Sequence, residues 1–270
     1  MVLSEAAAQQ RVEFDSLDTV AGRPVPLIGY WFAAAGSPQA PAALLLHGCG
    51  GAYSARGTLN ARMREYTSLL NSQGVSALVL DSLSPRGERE LCTQRIGTRR
   101  VTQANRRLDA LAAVEWLAQR PDVNAAGIGL VGWSHGGSTL LAAINARHPA
   151  VAVAPRRPAF AVAFYPGCEA EARRGFETQT PLLLLVGEAD DWTPVAPCRE
   201  LAGRASGVTP HLVSYPGAYH GFDSTIPLRR RDDVPNGVRP GEGVHVGGDP
   251  QARVESREAL MRFIEQSLRR

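Results

Sequence analysis

Lysine is absent: all 29 strongly basic residues of the sequence are arginine. This excludes a P-loop lysine, a lysine Schiff base and a Ser-Lys dyad together, since each needs an amine that a guanidinium cannot replace. Cysteine is scarce, and Cys49, Cys92, Cys168 and Cys198 stand far apart with no C-x-x-C and no Cys/His ligand spacing, which argues against zinc. They read as buried free thiols, the intracellular default, with a single Cys168–Cys198 disulfide as the alternative. Long apolar runs are also missing: none approaches the roughly 18–20 residues of a membrane span. The net charge is only +3, and apart from Arg-Arg pairs and the triplet Arg229-Arg230-Arg231 the basic residues are scattered. No nucleic-acid surface and no membrane association are therefore expected. The start, "MVLSEAAAQQ", lacks the basic n-region and apolar h-region of a signal peptide, although "AAAQ" has the look of a processing site. As it stands the chain reads as cytoplasmic; a leader removed upstream would make it periplasmic or secreted.

What is present is alternation. Short apolar runs at 26–34, 42–48, 75–81, 127–132, 159–166, 181–187 and 211–217 predict strands. Several are continuously apolar, as in strands buried on both faces of a parallel sheet. Amphipathic stretches at about 58–73, 99–119, 135–147, 195–206 and 251–268 predict the intervening helices. The pattern reads as one doubly wound α/β domain over 26–270, preceded by an N-terminal extension, 1–25, leading into the first strand. The Gly-, Pro- and Arg-rich stretch 223–250 reads as a long excursion before the last helix.

One turn carries the chemistry. Gly132-Trp133-Ser134-His135-Gly136 fits G-x-S-x-G between a predicted strand and a predicted helix. Such a turn strains the serine backbone, requires small neighbours two residues away, and lifts the hydroxyl beside a helix N-terminus. Gly127, Gly129 and Gly132 also spell G-x-G-x-x-G, but they lie within the strand instead of after it, so a dinucleotide site is rejected. A serine needs a base, and His220 in "YPGAYHGFD" follows the last strand. His148, His211 and His245 read as surface or capping residues, and His135 cannot easily reach its neighbour's hydroxyl. "VGEADDWTP" offers Asp190 or Asp191 to orient the imidazole. For the oxyanion, "HGCGG" after an early strand offers the Cys49 N–H, and the elbow offers the His135 N–H. His47 reads as a brace for that loop.

Taken together, "LLLHGCGG", "LVLDSLSPRG", "GLVGWSHGG", "AFYPGC", "VGEADDWTP" and "YPGAYHGFD" resemble the serine-nucleophile branch of the dienelactone hydrolase family of α/β-hydrolases. The resemblance implies a single α/β-hydrolase domain, its mostly parallel sheet of about seven or eight strands flanked by helices without a large cap. It selects Asp190 over Asp191 by spacing from Gly187 and Pro194, and it implies no cofactor. The function expected is hydrolysis of small-molecule carboxylic esters or lactones through an acyl-enzyme, by a monomer or small homo-oligomer. An acyltransferase or small peptidase on the same triad, or a non-catalytic binding protein of this fold, are the alternatives. The members that gave the family its name carry cysteine where Ser134 stands, so dienelactone itself does not follow as substrate. Arg86 is a candidate for a substrate carboxylate, or for pairing with Asp81 or another acid. Tyr53, Trp133, Trp192 and Phe222 are candidate pocket aromatics, with ordinary packing as the alternative for each.

Overall fold

The structure is a computed structural model, and it describes residues 9–269. The Ala6–Ala8 run that resembles a processing site lies outside them. Eight strands form one sheet: β1 (Gln10–Val20), β2 (Arg23–Phe32), β3 (Ala40–Leu46), β4 (Ser76–Asp81), β5 (Val123–Trp133), β6 (Ala161–Phe164), β7 (Leu182–Gly187) and β8 (His211–Tyr215). Their order across the sheet is β1-β2-β4-β3-β5-β6-β7-β8. β2 is antiparallel to β1 and β4, and all other pairs are parallel.

The extension expected over 1–25 needs correction, because residues 10–20 already pair in the sheet. β1 is an edge strand whose residues are mostly exposed. It therefore lacks the apolar run that marks the inner strands, and only its pairing with β2 identifies it.

The inner strands are apolar on both faces because each face has its own helices. Leu44, Leu46 and Leu130 pack with Val114 and Leu117 of α2 (Gln103–Ala118), Leu140 of α3 (His135–Ile144) and Leu201 of α4 (Val195–Arg204). Leu45, Val131 and Leu185 face Met63 and Tyr66 of α1 (Ala61–Asn71) and Leu260 and Ile264 of α5 (Pro250–Leu268). Successive strand residues thus enter opposite cores, as the two-residue period of a strand requires. Helix starts are marked locally. Asn60 Oδ1 accepts from the Met63 N–H at 3.0 Å and Asp249 Oδ1 from the Ala252 N–H at 2.8 Å, with Pro250 opening α5.

The long excursion forms a small antiparallel hairpin, β9 (Arg229–Arg231) with β10 (Val244–Val246). No helix among the described residues is long and apolar enough to cross a membrane.

Candidate active site

The loops after β3, β5, β7 and β8 all leave the sheet at its C-terminal edge, where doubly wound sheets gather functional groups. After β5 the chain turns so sharply that Ser134 has φ 53° and ψ −120°. A non-glycine residue in that region costs on the order of 1–3 kcal/mol. The turn is held by Ser134 N–H donating to the Phe164 carbonyl at 2.9 Å and by Ser138 N–H donating to the Ser134 carbonyl at 2.9 Å. Glycine is obligatory on both sides. A Cβ on Gly132 would lie 2.5 Å from the Gly136 oxygen, and one on Gly136 would lie 2.0 Å from the Leu46 oxygen.

Two backbone bonds between the segments after β7 and β8, Glu188 N–H to Tyr215 O at 3.0 Å and Ala189 N–H to Ala218 O at 3.1 Å, bring Asp190 and His220 together. His220 Nδ1 lies 2.8 Å from Asp190 Oδ2, and His220 Nε2 lies 2.9 Å from Ser134 Oγ. A carboxylate only accepts, so Nδ1 carries the proton and Nε2 is free to accept from the serine. Asp190 Oδ1 accepts from the N–H groups of Trp192 and Thr193, both at 2.8 Å. The Thr193 hydroxyl stands 3.0 Å from Asp190 Oδ2 and 3.0 Å from the Tyr165 carbonyl. The imidazole lies between Trp192 and Tyr165, each with its ring centre 4.6 Å away. All three side chains are buried.

The choice between the adjacent aspartates is visible in the geometry. Asp191 turns away to His245 of the hairpin, with Oδ2 at 2.6 Å from Nδ1 and Oδ1 accepting the His245 N–H at 2.8 Å. Of the other histidines, His148 pairs with Glu171 in a buried contact, while His211 is exposed on β8.

The 47–51 loop is braced from several directions. His47 Nδ1 lies 2.7 Å from the Gly48 carbonyl, which shares its peptide plane with the Cys49 N–H. Burial, reinforced by the charge of Arg106 and opposed by Asp81, pulls the His47 pKa down to about 3. The ring is therefore neutral at ordinary pH, and donation from Nδ1 to the Gly48 oxygen fits it. Leu91 N–H donates to the Cys49 carbonyl at 2.7 Å.

The cysteines correct the free-thiol expectation. Cys168–Cys198 is a disulfide, and so is Cys49–Cys92, which joins the 47–51 loop to the segment 88–102. Spacing had no way to reveal the second bridge, because its partners are 43 residues apart and meet only through the sheet topology.

Ser134 opens into a cavity of about 560 Å³, walled by Trp192, His135, Cys49, Ile96, Arg99, Gln103 and the Pro235–Pro240 tip of the excursion. Asn236 ties two of these walls together, accepting from the Ile96 N–H at 3.0 Å and donating to the Gln94 carbonyl at 2.9 Å.

Among the candidate pocket aromatics, only Trp192 lines this cavity. Trp133 is fully buried, and its Nε1–H donates to Asp223 at 3.1 Å. Phe222 packs in the core against Phe164, Tyr165 and Tyr215. Tyr53 borders a neighbouring cavity and meets the Tyr30 hydroxyl at 3.1 Å. Arg86 does not line the Ser134 cavity and is taken up in ion pairs: its guanidinium donates to Asp109 at 2.8 and 2.9 Å and to Asp18 at 2.7 Å. Asp81 instead receives the Leu83 and Ser84 N–H groups. An aromatic beside a motif packs inward whenever its strand alternation points it there, and the motif does not reveal that.

Sequence reasoning missed Asp223. Its buried carboxylate accepts from Arg62 at 3.0 and 3.1 Å, from Tyr165 Oη at 2.6 Å and from Trp133, joining α1, the elbow strand and the His220 loop. Burial by itself would raise this carboxyl, but Arg62 and the donors bring it below the usual carboxylate range. The adjacency of "HGFD" to His220 was the available signal. Among the described residues no cluster of His, Cys, Asp and Glu has the makings of a metal site.

The model of the dienelactone hydrolase family matches residues 28–266 of this sequence. The chain belongs to that family. Membership makes this dienelactone hydrolase family protein an α/β-hydrolase-fold enzyme and a carboxylic ester hydrolase. Solved structures agree on the fold. A dienelactone hydrolase from Anabaena variabilis superposes with a TM-score of 0.63 at 19% identity, covering 96% of this chain and 98% of its own. A dienelactone hydrolase-like promiscuous phosphotriesterase from metagenomic libraries gives 0.65 at 20%, covering 96% and 98%. The propionate-bound esterase of Thermogutta terrifontis gives 0.63 at 20%, covering 97% and 94%. No curated protein matches the sequence.

Proposed function

We propose that this hydrolase cleaves small-molecule carboxylic esters, lactones included, through an acyl-enzyme on Ser134. Ser134 Oγ attacks the carbonyl carbon while His220 Nε2 takes its proton, and Asp190 stabilises the resulting imidazolium. The Cys49 and His135 N–H groups receive the negative charge that develops on the carbonyl oxygen, a contribution of several kcal/mol for a preorganised pair. His220 then gives its proton to the leaving alkoxide. Water attacks the acyl-enzyme, His220 takes the water's proton, and collapse releases the acid and restores the serine.

One observation carries this reading: the unbroken hydrogen-bond chain from Ser134 through His220 to Asp190, beginning on a strained turn that opens into a cavity. A serine placed only as a helix cap would need neither the positive φ nor the buried imidazole. The test is turnover of p-nitrophenyl acetate together with covalent labelling by a fluorophosphonate. Both are expected in the wild-type protein and neither in Ser134→Ala; retention of both in the variant would refute the assignment.

A further inference from the structure

Arg106 takes no part in that mechanism, yet it touches both segments that supply the oxyanion donors. It sits in the first turn of α2 and is wholly buried. Nη2 donates to the His47 carbonyl at 2.8 Å, and Nη1 donates to His135 Nδ1 at 2.7 Å. Nε is buried without a partner. Among the described residues no carboxylate forms an ion pair with this guanidinium; Asp109, in the next turn of α2, is taken by Arg86 and by the Ser16 hydroxyl. Burial lowers its pKa to about 10 against the opposing charges of Asp109 and Asp81, so it is a cation at neutral pH.

A buried cation without a bonded counter-ion is costly, and an apolar side chain would fill the same space more cheaply. Its two bonds point to a reason for keeping it. We infer that Arg106 is a positioning residue of the oxyanion site, one fixed cation that locks the His47 carbonyl and the His135 ring together. The inference rests on the reading of Cys49 and His135 N–H as the oxyanion donors.

Its consequences follow from donor chemistry. Arginine only donates, so His135 Nδ1 accepts and the ring proton sits on Nε2. Burial and then the Arg106 charge hold the His135 pKa well below its ordinary value, which keeps the ring neutral. With its ring pinned, the first residue of α3 has its peptide N–H fixed in direction. On the other side, holding the His47 carbonyl fixes the peptide from which Gly48 and Cys49 follow, and the His47 ring then orients the Gly48–Cys49 peptide. A positive charge in a water-poor interior also favours the developing oxyanion more than the neutral ester, which is differential transition-state binding.

The experiment compares Arg106→Met, Arg106→Lys and Ser134→Ala with wild type, using p-nitrophenyl acetate kinetics and inhibition by a trifluoromethyl ketone, which forms an oxyanion on the serine. Arg106→Met is expected to lower kcat about 10- to 100-fold, somewhat less than loss of an oxyanion donor itself, with KM within about threefold. The ketone should weaken by the same factor as kcat/KM. Arg106→Lys keeps the charge without the two-pronged reach and should fall between, at least about threefold below wild type in kcat. In ¹⁵N NMR, His135 should show the Nε2–H tautomer in wild type and lose that fixed preference in Arg106→Met. A folded Arg106→Met with wild-type kcat and ketone affinity, beside an inactive Ser134→Ala, overturns the role of Arg106 alone. Activity surviving in Ser134→Ala overturns the underlying reading and this one with it. If Arg106→Met does not fold, wild-type kcat in Arg106→Lys is the overturning result.

Discussion

Adjacent residues of one turn, Asp190 and Asp191, each pair with a histidine, and the two pairs differ in almost everything except chemistry. Asp190–His220 is sealed, its side chains 1% and 4% exposed, with Trp192 and Tyr165 on the ring faces and Ser134 at the far nitrogen. Asp191–His245 is 34% and 42% exposed and fastens the turn to the hairpin. The exposed contact is the shorter of the two, 2.6 Å against 2.8 Å. Contact length therefore says little about function. What separates the pairs is a third group aligned with the imidazole and a site from which water is largely excluded.

The largest expected effect breaks the comparison directly. Asp190→Asn should lower kcat by about 10⁴-fold, by analogy with removal of a triad carboxylate, while the variant stays folded. An equally inactive Asp191→Asn beside an active Asp190→Asn would reverse the two roles.

Next in size are the disulfides. Opening Cys49–Cys92, whose partners are 43 residues apart, should cost on the order of 4 kcal/mol by the chain-entropy estimate, and Cys168–Cys198, 30 apart, slightly less. The two should differ in activity. Trp192 packs on the cluster of Cys49, Leu83, Leu91, Cys92 and Val101, so loosening that bridge disturbs both the 47–51 loop and one face of His220. Cys49→Ser/Cys92→Ser should lose kcat at temperatures where it is still folded, and Cys168→Ser/Cys198→Ser should not. Equal kcat in both double variants would count against this.

Asp223→Asn should destabilise by about 3 kcal/mol, because it leaves the Arg62 guanidinium and two further donors facing a neutral group. Denaturant midpoints measure this. The lowered pKa of Asp223 also means that its stabilisation is present above the unfolded carboxyl value of about 4 and is lost as pH falls through the lower folded value.

A comparable effect, developing only as the pH falls, comes from His47 and His135, both held below the ordinary histidine range chiefly by burial and then by Arg106. Below pH about 6.5 the unfolded chain binds a proton at each and the folded chain does not. Stability should therefore fall as pH falls, by about 1.4 kcal/mol per pH unit for each histidine. Urea unfolding from pH 6.5 to 5 tests this, and the slope should lessen in His135→Gln; an unchanged slope would mean that His135 titrates normally. Smallest of all is His245→Gln, expected to cost at most about 1 kcal/mol, as a partly exposed polar contact does, and to leave kcat within about twofold.

Most of the frame was legible in the chain. The continuous apolar runs at 42–48, 127–132 and 181–187 are strands covered on both faces, and α1 begins at its own cap, Asn60. β1 escaped detection because an exposed edge strand has no apolar signature. The elbow was legible because its glycines answer a local demand: neighbouring backbone lies 2.0–2.5 Å from where their side chains would begin. Trp133 and Phe222 became pocket candidates because their motifs lie near the site, whereas their side chains turn into the core; Arg86 forms the ion pair that was the alternative to a substrate role.

The sequence by itself determined the strand–helix alternation, the strained serine turn, and the order of serine, acid and histidine. These depend on local sterics and periodicity, which short stretches of sequence express. The tertiary structure decided which aspartate faces His220, that Cys49 meets Cys92, and that Arg106 lies beneath the 47–51 loop. Those are meetings of residues 30, 43 and 59 positions apart. Only closure of the sheet sets such distances, and only burial sets their strength.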